Sequence, residues 1–254
     1  MSLLSLLSFL SFLSFLLSLR SFVLFVCFVV TWDSSMGAKN VFITGGTGYV
    51  GRALIPELLQ RGHAVRALVR PGSENKVASG CERVLGDALD ESTFTDSVRP
   101  SDTFVQLVGV PNPSPAKAEQ FRAVDLRSIR ASVAAASAAG IRHFIYVSVA
   151  HPAPVMRAYI EVRSEGERLI RETGLNATLL RPWYVLGPGH RWPYLLKPIY
   201  AAFELLPATR QTALRLGLVT IEQMVSTLAV AVEGIADGVR TVEVQEIRRS
   251  PKIA

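Results

Sequence analysis

The residues with the clearest chemical capacity are three glycines, Gly45, Gly48 and Gly51, spaced G-x-x-G-x-x-G directly after the apolar run Val41-Phe42-Ile43-Thr44. Each has its own physical use. Gly45 lets the chain turn sharply out of a strand, Gly48 removes a Cβ that would block a pyrophosphate, and Gly51 lets a following helix pack close to a sheet. The free N–H groups and positive dipole end of that helix would then face phosphate oxygens. Glycine-rich turns are common, so the pattern alone is also that of a plain turn, and its surroundings must decide. About 20 residues further on, an NAD-preferring fold carries an acidic residue for the ribose 2′-hydroxyl. Arg70 stands at that point instead. A guanidinium there would pair with a 2′-phosphate, with Lys76 as a second contact, which favours NADP and leaves NAD as the alternative. The competing reading is an exposed arginine at a strand end.

The elements that position these residues alternate. Tyr49 to Arg61 reads as a helix with Val50, Leu54, Ile55, Leu58 and Leu59 on its buried side, Pro56 bending it and Gly62 closing it. Strands are expected at Ala64–Val69, Arg83–Leu85, Thr103–Val108, His143–Val147 and Ala177–Leu180, with helical stretches at Glu91–Val98, Glu119–Ala139 and 155–173 between them. Pro111, Pro113 and Pro115 make a loop at the end of the fourth strand, where open parallel sheets carry ligands. This alternation means right-handed βαβ crossovers and an α/β, doubly wound parallel sheet, the Rossmann fold.

Taken in order, Thr44-Gly45-Gly46-Thr47-Gly48-Tyr49-Val50-Gly51, Val65 to Arg70, Gly86-Asp87, Tyr146-Val147-Ser148 and Leu180-Arg181-Pro182 resemble the extended and atypical branches of the short-chain dehydrogenase/reductase superfamily. Within them the chain looks most like the NmrA-like NAD(P)H-binding proteins and the Rossmann-fold accessory subunit of respiratory complex I. The resemblance implies a cofactor along the strand ends, with Thr47, Gly48, Tyr49 and Val50 at the pyrophosphate and Arg70 at the adenosine phosphate. It also puts Asp87 and Ala88 at the adenine, Leu107, Val108 and Gly109 at the ribose, and Pro182 on the nicotinamide side.

The family's catalytic pattern is Tyr-x-x-x-Lys on a helix, aided by a serine at the end of the fifth strand; the tyrosine exchanges a proton and the lysine lowers its pKa. By that resemblance Tyr159 and Ser148 take the tyrosine and serine positions. The lysine is replaced by Arg163, which keeps the charge but not the shape of an ammonium. Two readings are open. In one, Tyr159, Arg163 and Ser148 catalyse NADP-dependent hydride transfer on a small apolar carbonyl, alcohol or enone. In the other, the protein binds NADPH without turnover, as a sensor or assembly subunit, with Tyr159 packed on its helix and Arg163 paired to Glu167 one turn on.

Residues 186–254 are expected to form a small substrate-side region after the 36–185 cofactor domain. Trp183, Tyr184, Trp192 and Tyr194 are candidates to line an apolar pocket, though aromatics beside prolines are also ordinary packing. Helices are expected at Pro198–Leu206 and Ile221–Ile235, and a strand at Thr241–Ile247. His151 and His190 lack partners at metal-ligand spacing, so no metal is expected. With two cysteines, Cys27 and Cys81, there is no disulfide framework.

The 254-residue chain is 49% hydrophobic, and its formal charge of +6 falls after residue 35, since Arg20 and Asp33 cancel before it. No basic tract interleaved with aromatics argues for nucleic acid. Residues 1–35 form a Ser/Leu/Phe-rich leader. Phe9 to Val30 is long enough to cross a bilayer, with Trp32 near an interface, although Arg20 would then sit mid-span at a cost of about 2.5–3.5 kcal/mol. Alternatively the leader is translated upstream sequence and Met36 is the start. A small-molecule substrate is the expected partner, a membrane enters only through residues 1–31, and oligomeric state is left open. Localisation is expected to be cytoplasmic, or membrane-anchored with the globular part on the cytoplasmic side.

Overall fold

In the computed structural model, residues 37–188, 196–234 and 237–250 are described. The expectations for the leader, His190, Trp192 and Tyr194 lie outside them. Seven parallel strands form one sheet: β1 (Asn40–Thr44), β2 (Ala64–Val69), β3 (Glu82–Leu85), β4 (Thr103–Gln106), β5 (His143–Val147), β6 (Ala177–Arg181) and β9 (Val239–Glu243), in the order β3-β2-β1-β4-β5-β6-β9. The order reverses between β1 and β4, and in such a sheet the crevice at that reversal takes the ligand. Two further short strands, β7 (Tyr184–Leu186) and β8 (Leu218–Thr220), pair with each other in parallel.

The strands are apolar on both faces because helices cover both. Alternation along β1 sends Val41 and Ile43 to one face and Phe42 to the other. On the Phe42 side, Phe42, Phe104 and Phe144 occupy one register line across β1, β4 and β5, with successive ring centroids 5.2 Å apart. Helices α2 (residues 118–139) and α3 (Arg157–Glu172) pack on this side through Ile129, Ala135, Ala136 and Ile170. The opposite face is covered by α1 (Tyr49–Gln60), which runs on through Pro56, and by α6 (Ile221–Glu233). Gly140, left-handed at φ 72°, ends α2, and a Thr220/Gln223 capping box starts α6. Between β7 and β8 lie α4 (Lys197–Leu205) and α5 (Pro207–Arg215). No helix among the described residues is long and apolar enough to cross a membrane.

Three sequence expectations need correction. The strand expected at Thr241–Ile247 is β9 at Val239–Glu243, followed by helix α7 (Val244–Arg249). Val242, Val244 and Ile247 are all buried, and Val244 fits both a two-residue and a three-residue spacing, so periodicity could not separate them. β9 lies beside β6, and α6 shares a core with α1, so no domain boundary falls at 185/186: the end of the chain completes the cofactor fold. Finally, the long helix is not uniformly α. Phe121–Leu126 is wound as a π-helix, a local widening that re-aims its side chains.

His143, 4% exposed in β5, shares a hydrogen bond of 2.9 Å between Nε2 and Thr178 Oγ1. Burial, with Lys39 nearby, pushes its pKa down to about 4. The unfolded chain takes up this proton near pH 6.5 and the native protein only near pH 4, so the unfolded state binds more protons between them. Stability is therefore expected to fall by on the order of 3 kcal/mol as pH drops across that window. Chemical denaturation at a series of pH values should show this loss, and His143→Gln should remove that part of it.

Candidate active site

The glycine turn follows from close approach. Gly45 sits at φ 76°, and a Cβ there would lie 2.7 Å from the Leu107 carbonyl carbon and 2.8 Å from the Val108 nitrogen. A Cβ on Gly51 would lie 2.6 Å from both Gly45 O and Gly46 Cα. Both are therefore packing glycines that bring β1, β4 and α1 together. Gly48 differs, since its Cβ would meet only Gly45 O, at 3.1 Å, and otherwise open space. It is the N-cap of α1, no side chain caps that end, and the first turn holds no acidic residue. The first-turn N–H groups thus have no side-chain competitor, which fits a dinucleotide pyrophosphate. Arg52, overlooked in the sequence, bonds Thr47 O through Nε at 2.8 Å and sets a guanidinium on this loop. Its position directly after Gly51 was the available signal. Tyr49 reaches the segment after β6, where a Cβ on Gly187 would overlap its hydroxyl.

The other expected cofactor residues all lie at the same edge of the sheet. Arg70 follows β2, exposed, and among the described residues it has no ionic or side-chain hydrogen-bond partner. Lys76 lies on the adjacent 3₁₀ turn Glu74–Lys76. Asp87 spends one carboxylate oxygen on its own turn, accepting from Leu89 N at 3.0 Å, and Ala88 packs on the core beside it. Leu107 N donates to Thr44 O, and Val108 N to Gln106 Oε1 at 2.9 Å. Gln106 also accepts from the Thr44 hydroxyl and donates to Ser128 Oγ at 3.0 Å, a buried polar chain beneath the expected ribose site. Pro182 is buried, and its carbonyl accepts from Ala150 N at 2.9 Å.

Tyr159 and Arg163 do share one face of α3, but Arg163 does not pair with Glu167. It is 5% exposed, and its Nη2 donates to Asp125 Oδ1 at 2.5 Å while Nη1 donates to Val147 O at 2.8 Å. Asp125, 1% exposed, comes from the π-wound stretch of α2 and also accepts from Val110 N at 3.0 Å. The guanidinium carbon lies 5.1 Å from the Tyr159 ring centroid and 5.6 Å from that of Tyr146, within cation–π range of both. Burial opposes the Arg163 charge, but the surrounding Tyr159, Tyr146 and Asp125 outweigh it and hold its pKa above the ordinary value. Burial pushes the Asp125 carboxyl up, with Arg163 and the Val110 N–H pulling against it. Burial likewise lifts Tyr146 to about 12. Tyr159, half-buried, is tilted against Phe121 at 5.0 Å, and no hydrogen bond holds its hydroxyl among the described residues.

Ser148 directly follows β5 at its C-terminal end, yet its hydroxyl donates to Glu167 Oε1 at 2.6 Å, so its proton is not directed at a substrate oxygen. Glu167 is in turn clamped by Arg181, with Nε to Oε1 at 2.8 Å and Nη2 to Oε2 at 2.5 Å. Burial opposes that charge, but Arg181 and Ser148 hold the carboxylate below its ordinary range. His151 Nε2 lies 3.7 Å from the same oxygen. Asp125 was missed in the sequence, and Glu167 was read there only as a partner for Arg163, not for Ser148 and Arg181. The signal was there for Asp125, because Phe121, Asp125, Ser128 and Ser132 fall on one buried helical stripe where apolar residues are the norm.

A Cβ at Gly109 would overlap Arg163 Nη2, so the loop after β4 rests directly on the guanidinium. Removing one partner of such a buried pair typically costs about 3–5 kcal/mol. Asp125→Ala and Gly109→Ala are each expected to destabilise the protein, the first by about that amount. In Arg163→Met the Gly109→Ala cost should shrink, and equilibrium denaturation of the double-mutant cycle measures that coupling.

Residues 45–191 match the family model described as NAD(P)H-binding. Among relatives, the ceramide reductase of Caulobacter vibrioides is 28% identical, over 82% of this chain and 65% of its own length. The 4-hydroxy-2-methyl-3-oxo-4-farnesyl-3,4-dihydroquinoline-1-oxide ketoreductase of Stigmatella aurantiaca is 27% identical, over 58% of this chain and 50% of its own. The chain thus spans one half to about two-thirds of these relatives' lengths. The fold is shared with the NAD⁺ complex of the Bordetella bronchiseptica enzyme WbmH, with a TM-score of 0.61 at 19% identity over 81% of this chain and 75% of that one. With the match covering the glycine turn, the strand ends and the Tyr159 helix, the chain belongs to the NAD(P)H-binding family, and its fold is that of the short-chain dehydrogenase/reductase-type proteins of known structure.

Proposed function

We propose that the protein is an NADP-dependent oxidoreductase that transfers hydride to a small apolar carbonyl or enone, or in reverse from the corresponding alcohol to the oxidised cofactor. The observation that carries this reading is the Tyr159 hydroxyl, without a protein hydrogen-bond partner among the described residues, on a ring backed by the Arg163 guanidinium beside the 107–109 loop. NADPH, when bound, supplies the hydride. Tyr159 then gives its proton to the substrate oxygen and recovers one from solvent. Arg163 acts as a positioning residue, holding the Tyr159 ring and the loop in register. Ser148 and Glu167 tie β5 to α3 so that Tyr159 and the nicotinamide side at Pro182 keep a fixed relation. Relatives named for a ceramide and for a farnesyl-bearing ketone support an apolar substrate. Arg70, without an ionic partner among the described residues and with Lys76 close in sequence, supports NADP over NAD.

A second reading, NADPH binding without turnover as a sensor or assembly subunit, is favoured by one specific observation: the charge in the lysine position and the strand-end serine are both engaged by buried carboxylates.

Fluorescence titration is expected to give NADPH at least about tenfold tighter binding than NADH, the scale of one charge-assisted contact, with Arg70→Ser abolishing the difference. Equal affinities in the wild type would remove the NADP preference. Tyr159→Phe should lower kcat by about 10²-fold or more with unchanged NADPH affinity, as loss of a general acid requires. Turnover of a ketone panel that survives the substitution would take Tyr159 out of the chemistry, and an inactive wild type with intact NADPH binding would support the second reading.

A further inference from the structure

The helical hairpin of α4 and α5 has its polarity reversed. α4 packs Tyr200 on the core and directs its one acid, Glu204, to Arg248 Nη1 of α7 at 2.7 Å. Its outer side is apolar: among the described residues, no exposed position from 198 to 208 carries a polar side chain. Leu205 is 83% exposed, Leu206 53% and Phe203 46%. A surface helix ordinarily presents its polar side to water, and contiguous apolar surface of this kind marks an interaction site. The turn that displays it is held by its own hydrogen bonds, since Thr209 Oγ1 donates to Phe203 O at 2.8 Å and Arg210 N to Leu206 O at 2.9 Å.

The border of this surface has a single sign. Glu204 is the only acidic residue from 197 to 215, and Arg248 already neutralises it. Arg210, exposed one helical turn after Leu206, and Arg215 at the end of α5 have no ionic partner among the described residues, and neither has the exposed Arg249 beside Arg248. That charge decides between two occupants. A second copy about a two-fold axis would lay the face on itself, bringing cations towards cations with no free acid on the hairpin to receive them. A bilayer with anionic lipid offers hydrocarbon to the leucines and phosphate to the arginines.

We propose that the α4–α5 hairpin docks on the surface of a bilayer containing anionic lipid, burying Phe203, Leu205 and Leu206 among the headgroups and setting Arg210 at their phosphates. At nine residues, α4 is far short of the roughly 20 needed to cross a bilayer, so the contact is with the surface. The docking is independent of the catalytic and the non-catalytic readings above, because none of these residues belongs to the candidate active site.

The test reads the hairpin itself, so that binding through residues 1–35 is not mistaken for it. An environment-sensitive fluorescent amino acid is introduced in place of Ala202, exposed on α4, by codon suppression in the full chain. The protein is then titrated with vesicles of phosphatidylcholine alone or with about 30% phosphatidylglycerol. Anionic vesicles should shift the emission to the blue and allow quenching by spin-labelled lipid, with affinity at least about tenfold above that for neutral vesicles. Arg210→Gln should weaken the anionic binding about fivefold, the scale of one basic residue at such a surface, and Arg210→Lys should restore it. Leu205→Ser/Leu206→Ser, at two exposed positions, should weaken it at least about tenfold without lowering Tm. No response to either vesicle, or equal affinity for both, overturns the proposal. Vesicle-bound protein whose fluorophore is neither shifted nor quenched is held by another part of the chain and also overturns it. A blue shift without vesicles that grows with protein concentration would assign the face to contact between copies, with the same result.

Discussion

The site is built around the buried contact between Arg163 and Asp125. Taking two charges out of water costs several kcal/mol per ion, and such a pair persists only where geometry is good and the remaining donors and acceptors are used. Here Asp125 also accepts the Val110 N–H and Arg163 also donates to the Val147 carbonyl, while two tyrosine rings lie against the guanidinium and its Nε stays buried without a hydrogen-bond partner among the described residues. The pair joins α3, the π-wound stretch of α2 and the ends of β4 and β5 at one point. The loop that follows β4 lies on it with no room for a side chain at Gly109. Whatever binds along that loop meets a surface whose position the ion pair sets.

This arrangement changes what an arginine in the lysine position means. An ammonium on a flexible stem can approach a phenolic oxygen and a ribose together, whereas a planar guanidinium held at both ends cannot leave its carboxylate without exposing a buried charge. Its influence on Tyr159 is through the ring face and through position. The second buried carboxylate, Glu167, acts in parallel. Clamped by Arg181 and accepting the Ser148 hydroxyl, it fastens α3 to β5 and β6. Two ion-paired carboxylates, Asp125 with Arg163 and Glu167 with Arg181, therefore hold α3 in place.

The phosphate side rests on different physics. There, tight backbone approach and the absence of any helix cap matter, and polarity comes from main-chain N–H groups instead of buried charge. The end of the chain contributes to both halves. β9 extends the sheet and α6 lies over α1, so the cofactor fold closes only when residues 221–243 return to it. The hairpin of α4 and α5 is the portion left outside the sheet core, and it is where the exposed apolar surface collects.

The local pattern was enough for the fold class and for the glycine turn after β1, because both depend on short-range regularities: glycine spacing, strand and helix periods, and turn residues within a few positions of each other. Arg70 was legible for the same reason, as a charge at the end of a strand. The partners of Arg163 and Ser148 were not. Asp125 lies 38 residues from Arg163 and Glu167 lies 19 from Ser148, and only the packing of α2 and α3 on one sheet face brings them together. Periodicity could place an acidic residue on a buried stripe, but a π turn shifts the register of that stripe, and no local signal announced it. The sequence by itself thus determined which ligand chemistry the strand ends can hold. The tertiary structure decided which charges are free to act, because a buried ion must find its counter-ion in space rather than along the chain.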